Sequence, residues 1–244
     1  MKIINEKDIE FWNENGYLAV ENIIDPERCD NYLNLCLDYA ENNNNKDLLE
    51  MPGIHNKIPE TFDLMKDEKV LSIVETILGG ESIGLNTVCV FKKAGTPSAK
   101  HAWNPHQDGT YIDIDEDKYC GGNIVLDDHL PDSGCLYVYP GSHLEELLPY
   151  EPNISFNLEE NTNPGNKVID IPKKYKKVDL HLKKGSFLLL HYKIIHGSYG
   201  NTSDHNWRPI LLQSYIRSDV KFYKKNNTSP VVGKNEWKDH AAKK

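Results

Sequence analysis

The sequence has no long apolar run and little excess positive charge. No stretch of about 18 apolar residues occurs in the 244-residue chain, so we expect no membrane-spanning helix. The first seven residues also lack the apolar core of a secretory signal peptide. With 28 Lys and Arg against 37 Asp and Glu, the formal net charge is -9, which disfavours nonspecific nucleic-acid binding. We therefore expect neither a membrane nor a nucleic-acid partner.

Cysteine is scarce, and its spacing gives no sign of disulfides or of a zinc site. The five cysteines are odd in number and form no CxxC pair, at Cys29, Cys36, Cys89, Cys120 and Cys135. Close cysteine pairs are typical of zinc sites, and disulfides are typical of oxidising compartments. The sequence therefore predicts reduced thiols and a cytoplasmic protein.

The chain changes character at about residue 80. Helices are predicted over 6–15, 25–40 and 66–78, with a short strand at 17–20. Strands are predicted beyond them, over 85–92, 122–126, 135–139, 178–182, 186–191 and 210–216. We expect one mainly β domain over 1–244, with a helical layer at about 1–80, a β core at about 82–217 and a tail at 218–244. A cupin-like jelly roll would bury the inner faces of such strands. The polar stretches 150–177 and 221–244 are candidate lids.

His106-Gln107-Asp108 is the most informative motif. Side chains two apart on an extended segment point to the same side, so His106 and Asp108 could share a metal ion. Together they supply two of the three ligands of a 2-His-1-carboxylate triad, which holds Fe(II) by one face and leaves positions open. A third ligand must come from elsewhere in the chain. His196 is a candidate because it follows an apolar strand and precedes a glycine, whereas His191 should point to the other face.

Arg208 lies just before the next predicted strand, so it can reach a metal site across adjacent strands. Its planar guanidinium could bind a carboxylate with two parallel hydrogen bonds, which lysine cannot do. An arginine on the surface near a loop is the plainer reading of this residue taken alone.

Several segments together resemble the phytanoyl-CoA dioxygenase family of Fe(II)/2-oxoglutarate oxygenases, over roughly residues 6–217. They are His106-Gln107-Asp108, the strand ending at Asp127-Asp128, the run from Gly134 to His143, Lys184-Gly185-Ser186-Phe187, and His196 through Arg208. The resemblance implies a double-stranded β-helix with an N-terminal helical layer. It also implies Fe(II) held by His106, Asp108 and His196, and 2-oxoglutarate anchored by Arg208 with help from Ser198.

The same resemblance implies weaker roles at other positions. Asn123 stands where the family often has tryptophan, and an amide there could donate to 2-oxoglutarate. Val88 is expected to line the co-substrate pocket, although a plain core role fits it equally well. Gln107 should face away from the iron but could contact substrate, as could Tyr111 and His55. The loop at His143 and the pair Asp127-Asp128 are expected to be structural.

The implied reaction consumes O2 and 2-oxoglutarate, releases succinate and CO2, and hydroxylates an unactivated C–H bond. Desaturation and cyclisation remain open at the same site. We expect a small polar metabolite or natural-product intermediate as substrate, since no basic phosphate-binding motif for a long acyl-CoA is visible. A non-catalytic cupin-like binding protein and a zinc hydrolase are the competing hypotheses, and the oligomeric state stays open.

Overall fold

The computed structural model describes residues 3–44, 50–114, 117–153 and 162–224. The helices in these ranges are α1 (Glu6–Asn15), α2 (Pro26–Asn42), α3 (Glu60–Met65) and α4 (Glu68–Leu78). Asn5 accepts hydrogen bonds at the start of α1, and Gly16 ends that helix at φ 76. The Asp67 side chain accepts from the Lys69 backbone N–H and so begins α4, two residues later than predicted. The separate helix α3 was not predicted, and α2 extends to Asn42 rather than ending near residue 40.

The strands agree in place with those predicted, and additional short ones are present. In chain order they are β1 (Tyr17–Val20), β2 (Glu50–Pro52), β3 (Ser82–Val90), β4 (Trp103–His106), β5 (Ile112–Ile114), β6 (Tyr119–Val125), β7 (Leu136–Val138), β8 (Tyr150–Asn153), β9 (Gly165–Val168), β10 (Val178–Leu180), β11 (Phe187–His191), β12 (His196–Ser198), β13 (Ile210–Arg217) and β14 (Phe222–Lys224).

Two antiparallel sheets form the β core. The larger has the order β1-β11-β6-β13-β3-β2 and the smaller has the order β10-β7-β12-β4. Neighbours in the sheets are mostly distant in the chain, as in a jelly roll, where successive strands alternate between sheets. The strands β2 and β4 are therefore edge strands, one in each sheet. This architecture, with helices before it, confirms the predicted fold class.

The strand β11 shows how the sequence divides the core between the two faces of the larger sheet. Phe187 and Leu189 pack into the cluster that contains the helices, whereas Leu188 and Leu190 pack into the cluster between the sheets. This alternation follows from the period of two along a strand. Full burial of each such side chain contributes about 1.5–3 kcal/mol. The helices thus cover one face of the larger sheet, and its other face lines the space between the two sheets.

The stretch predicted as a lid contains regular structure. Its strands β8 and β9 pair antiparallel, with Tyr150 opposite Val168 and Asn153 opposite Gly165. The Asn166 side chain donates to Thr110 Oγ1 at 2.7 Å, so this hairpin lies against the segment that follows Asp108. Residues 154–161 of the predicted lid lie outside the described residues. So does most of the predicted tail lid, at 225–244, whereas β14 pairs with β5.

The five cysteines are free and buried, in agreement with the expected reduced thiols. None of the helices in the described part of the chain has both the length and the apolar character that a bilayer-crossing segment needs.

Candidate metal centre and adjoining cavity

The pairing of β12 with β4 brings the two histidines together. His196 lies directly opposite His106 in this antiparallel pair, and the register shifts between His196 and Ser198. Residues opposite each other in a ladder have neighbouring side chains, and the two imidazole centroids are 4.3 Å apart. Pairing of the interior strand β12 with the edge strand β4 therefore brings together two histidines that lie far apart in the sequence.

Asp108 completes the cluster. It follows Gln107, whose backbone is extended, and begins a short 3-10 turn over Asp108–Thr110. Asp108 Oδ1 lies 3.6 Å from His106 Nε2 and 3.8 Å from His196 Nε2. One potential ligand atom from each residue lies within 4.8 Å of the others, and no comparable group occurs elsewhere among the described residues. The three predicted ligands thus converge, as a metal ion would require.

Both histidines are held in the tautomer that a metal ligand needs. His106 Nδ1 lies 2.7 Å from the carbonyl oxygen of Asn104, and His196 Nδ1 lies 3.2 Å from that of Ile194. When each Nδ1–H donates to its carbonyl, each Nε2 presents a lone pair to the shared space. Burial, together with the nearby His196, lowers the pKa of His106 to about 4. The imidazole is therefore neutral and able to bind a metal at neutral pH.

Gln107 fixes the backbone between the two ligands of the motif. Its side chain is fully buried, donates to the Lys193 carbonyl at 2.7 Å and accepts from the Leu148 N–H at 2.8 Å. The Gly109 N–H also donates to the Tyr192 carbonyl at 2.8 Å. Gln107 faces away from the cluster, as predicted. Both ends of its amide bind backbone groups, and the suggested substrate contact stays a prediction.

A cavity of about 150 Å³ adjoins the cluster. It is lined by all seven residues predicted for the site, namely Val88, His106, Asp108, Asn123, His196, Ser198 and Arg208. Val88 contributes to an apolar wall together with Ile210 and Leu212. Asn123 donates to the Leu188 carbonyl at 3.3 Å, so its amide is partly engaged by the sheet.

Arg208 is buried in the wall of this cavity, at 2% exposure. Its Nε has no hydrogen-bond partner, and no described carboxylate forms an ion pair with it. The Ser198 hydroxyl in the same wall also lacks a partner. Burial lowers the pKa of Arg208 to about 10, so the guanidinium remains charged at neutral pH. A buried cation without a counter-charge is costly, and an anionic ligand would relieve that cost.

Two charged residues near the cavity were not predicted from the sequence. Lys92 is fully buried and donates to the carbonyls of His101 and Tyr199, so it ties together the loops behind Arg208. Burial and the nearby Arg208 lower the pKa of Lys92. Glu50, on the edge strand β2, lines the cavity at its exposed mouth. No motif marks either residue, because their placement depends on contacts between sheets.

Tyr111 lies beside the cluster, as suggested, with its ring centroid 6.4 Å from that of His106. Burial raises the pKa of its hydroxyl to about 12, and the negative charges of Asp108 and Glu50 add to this increase. His55 is instead buried against Thr87, whose Oγ1 lies 2.7 Å from its Nδ1. It is not among the residues that line the cavity, so the structure does not bring His55 to the site, and its suggested substrate contact stays a prediction.

The remaining candidates have structural contacts, as expected. His143 packs against His191 with ring centroids 5.0 Å apart, and His143 Nε2 lies 3.1 Å from the Asn13 carbonyl oxygen. His191 is therefore on the far side of its strand from the cluster. Asp128 accepts from Lys183 Nζ and from the Lys184 backbone N–H, both at 2.8 Å, and so links two loops.

Comparison with known proteins places this geometry in a family context. Residues 12–210 match the profile of the phytanoyl-CoA dioxygenase (PhyH) family. A phytanoyl-CoA dioxygenase domain-containing protein 1 homolog of Caenorhabditis elegans is 28% identical over 181 residues, which cover 71% of this chain and 60% of that protein. A phytanoyl-CoA dioxygenase of Arabidopsis thaliana is 24% identical over 178 residues, covering 71% and 59% of the two chains. The chain thus spans about 60% of the length of these relatives.

The fold is also found among solved structures. The non-heme alpha-ketoglutarate-dependent carbocyclase SnoK from nogalamycin biosynthesis superposes with a TM-score of 0.74. The similarity covers 95% of this chain and 94% of that one, at 17% sequence identity. At this identity the match supports the fold.

Proposed function

The chain belongs to the phytanoyl-CoA dioxygenase family, and from this membership and the site geometry we propose that it is an Fe(II)/2-oxoglutarate-dependent dioxygenase. The proposed reaction hydroxylates an unactivated C–H bond of a small polar molecule and releases succinate and CO2. Its parts are the cluster of His106, Asp108 and His196 and the buried Arg208 in the same cavity.

The main support for the proposal is that Arg208 lies in the same cavity as the metal cluster. A metal cluster of two histidines and a carboxylate is compatible with several chemistries, including hydrolysis by zinc. An uncompensated guanidinium in the same cavity adds a requirement for an anion. A dicarboxylate that binds the metal with one end and the guanidinium with the other meets both requirements. The unpartnered Ser198 hydroxyl can donate a further hydrogen bond to that carboxylate.

Each residue of the proposed site then has a defined role. Bound Fe(II), 2-oxoglutarate and O2 supply the oxidising chemistry. Both histidines present neutral Nε2 atoms, and Asp108 supplies one negative charge to the metal. Arg208 orients the co-substrate, and the apolar wall at Val88 and Leu212 excludes water from it. The intact carboxylate of Asp108 leaves no ligand position free for a halide, which favours hydroxylation over halogenation.

Hydroxylation, as opposed to desaturation or cyclisation, is the more specific part of the proposal. Hydroxylation adds one oxygen atom to the substrate, whereas desaturation or cyclisation removes two hydrogens, so product mass distinguishes them. We further propose that the enzyme acts on small molecules in a reducing cytoplasm, for which the five free thiols are suited.

Formation of succinate from 2-oxoglutarate is the test of the proposed function. We expect it to require Fe(II) and O2, and to be lost in Arg208→Gln. Arg217→Gln is the matched control, because Arg217 is the last residue of β13, the strand that follows Arg208, but pairs with Asp219 at 2.6 Å. Succinate formation that persists in Arg208→Gln, or that needs no iron, would contradict the proposal. A protein that binds the metal but never forms succinate would favour the binding-protein hypothesis, and zinc-dependent hydrolysis would favour the hydrolase.

A further inference from the structure

Glu50 is an acidic residue of the cavity that the proposed function leaves without a role. It belongs to β2, the edge strand of the larger sheet, and lies opposite Val90 in the pairing with β3. Val90 and Ile210, which is its next neighbour across the sheet, line the same cavity. Glu50 therefore extends one row of inward-facing side chains to the edge of the sheet. Glu50 is exposed to solvent, so the cavity reaches the surface at that edge.

No described cation neutralises this carboxylate. Neither a lysine nor an arginine nor a histidine within the described ranges lies within 4.0 Å of a Glu50 carboxyl oxygen. Although the residue is exposed at the mouth, surrounding protein atoms raise the pKa of its carboxyl. A partly desolvated carboxylate without a counter-charge favours a cationic partner.

Among the charged residues that line the cavity, the charges of the loaded site leave only Glu50 unbalanced; Lys92 lies behind Arg208, donates to two carbonyls and does not line the cavity. Arg208 and Asp108 carry opposite unit charges, and both imidazoles are neutral when they bind a metal. A divalent metal and a dianionic 2-oxoglutarate also cancel. With both bound, one negative charge remains among the lining residues, that of Glu50 at the exposed end of the cavity. The negative charge of Glu50 also contributes to the raised pKa of Tyr111, which stays a neutral hydroxyl.

We propose that Glu50 selects a cationic substrate, and that the molecule oxidised by this enzyme carries an ammonium or guanidinium group that pairs with the Glu50 carboxylate. This inference rests on the proposed function, since it names the substrate class of the same site. The cationic group binds at the mouth, and the carbon chain of the substrate extends inward to the metal. Anionic substrates are repelled at the same point.

Binding of matched probes tests the proposal without reliance on turnover. The protein is loaded with Mn(II), which does not turn over, and saturated with 2-oxoglutarate. Choline is titrated against its neutral isostere 3,3-dimethylbutan-1-ol, and butylammonium against 1-butanol and butyrate, by isothermal calorimetry. We expect at least one cation to bind about tenfold more tightly than its neutral partner, a modest value suited to a partly exposed ion pair.

Two variants assign the preference to one carboxylate. Glu50→Gln keeps the shape of the side chain and should abolish the preference for the cation, with 2-oxoglutarate affinity unchanged. Glu151→Gln is the control, because Glu151 on the neighbouring hairpin is 59% exposed, pairs with Lys167 at 3.9 Å and does not line the cavity. That variant should keep the preference.

The results that overturn the proposal are distinct from those that overturn the proposed function. Failure of the wild-type protein to bind 2-oxoglutarate would contradict both the proposed function and the proposed substrate class. If 2-oxoglutarate binds normally but no cation is preferred, or no cation binds at all, only the proposed substrate class is contradicted. A preference that survives in Glu50→Gln also removes it, as does a loss of 2-oxoglutarate affinity in that variant, because Glu50 would then belong to the co-substrate site.

Discussion

Arg208 and the two histidines of the cluster line one cavity, but they are stabilised differently. Each imidazole has a backbone carbonyl partner for its Nδ1, so its polar group is satisfied within the protein. Arg208 stays charged without a described counter-ion, so the folded protein bears a cost that ligand binding would remove. Substitutions at these positions should therefore separate metal binding from co-substrate binding.

Arg208→Lys should weaken 2-oxoglutarate binding and leave iron binding nearly unchanged. Lysine keeps the charge but loses the paired hydrogen bonds of the guanidinium, and one lost charge-assisted bond is worth about 1.5–3 kcal/mol. The KM for 2-oxoglutarate should therefore rise roughly 10- to 100-fold. Steady-state kinetics at saturating iron measure it, and an unchanged KM would mean that another residue anchors the carboxylate.

His196→Ala should abolish iron binding and turnover, because it removes one of three ligands. The fold should persist, since the His196 side chain lies at the cavity and makes one contact with a backbone carbonyl. Iron content and circular dichroism are the readouts. His205→Ala, at an exposed position, is the control and should bind iron normally. Full iron occupancy in His196→Ala would show that the ligand set is wrong.

At the scale of elements, the site depends on how closely β12 approaches its neighbours. Gly197 lies between His196 and Ser198, and a Cβ there would come within 2.7 Å of the Trp103 carbonyl oxygen and 2.4 Å of Tyr137 Oη. The backbone oxygen belongs to β4, which also carries His106. A side chain at this position must therefore push apart the two strands that hold the histidines.

Gly197→Ala should lower the metal affinity. It should also lower the free energy of unfolding by about 1–3 kcal/mol, as overpacking does at other buried sites. Gly80→Ala is the matched control, because its Cβ would meet only the flexible side chain of Arg217, at 3.1 Å. Iron titration and thermal unfolding of both variants check the prediction. Equal behaviour of the two would show that the spacing between β12 and β4 is not critical.

The elements differ in how far the sequence could predict them. The C-terminal ends of α1 and α4 were predicted because Gly16 and Gly79 act locally, each through a left-handed conformation, whereas the start of α4 at the Asp67 cap was placed two residues too early. The long strands were predicted from their apolar runs. Strands of three residues, such as β2 and β12, have too few positions to show a period. Their partners in the sheets hold them in place.

The site shows the same division. His106 and Asp108 were predicted from spacing alone, whereas His196, Arg208 and Ser198 needed the family resemblance as well. Glu50 was not predicted, since it reaches the cavity only through the pairing of β2 with β3. A contact of this kind, between residues far apart in the sequence, has no local sequence pattern from which it could be predicted.

At the scale of the whole molecule, the helices and the larger sheet share one apolar cluster. Trp12 of α1, Phe62 of α3 and Val74 of α4 belong to it together with Phe187 and Tyr215 of the sheet. We propose that the helical layer and the β core form one domain. Calorimetry should then show a single unfolding transition with equal calorimetric and van't Hoff enthalpies, and two resolved transitions would contradict this.

The stability of the metal-free protein should fall as the pH is lowered from about 6.5 toward 3. Burial, with the nearby His143, lowers the pKa of His191 to about 3, below the ordinary value of about 6.5. The unfolded chain thus takes up a proton in this range that the folded protein does not, so acid favours unfolding.

His191→Gln should reduce that pH dependence by about one proton, because glutamine does not titrate. His205→Gln is the control at an exposed position. Urea unfolding at a series of pH values, with a chelator present, gives the slopes. Identical slopes in the wild type and His191→Gln would show that His191 titrates normally in the folded protein.

Anaerobic titration of the Fe(II)-loaded protein with 2-oxoglutarate tests the central claim most directly. Chelation of iron by the keto acid gives a visible absorption band, so the band reports co-substrate bound at the metal itself. We expect it to saturate at one 2-oxoglutarate per iron in the wild type, to need far more 2-oxoglutarate in Arg208→Lys and to be absent in His196→Ala. A wild-type protein that binds Fe(II) but never develops the band, or a band unaffected by both substitutions, would contradict the account.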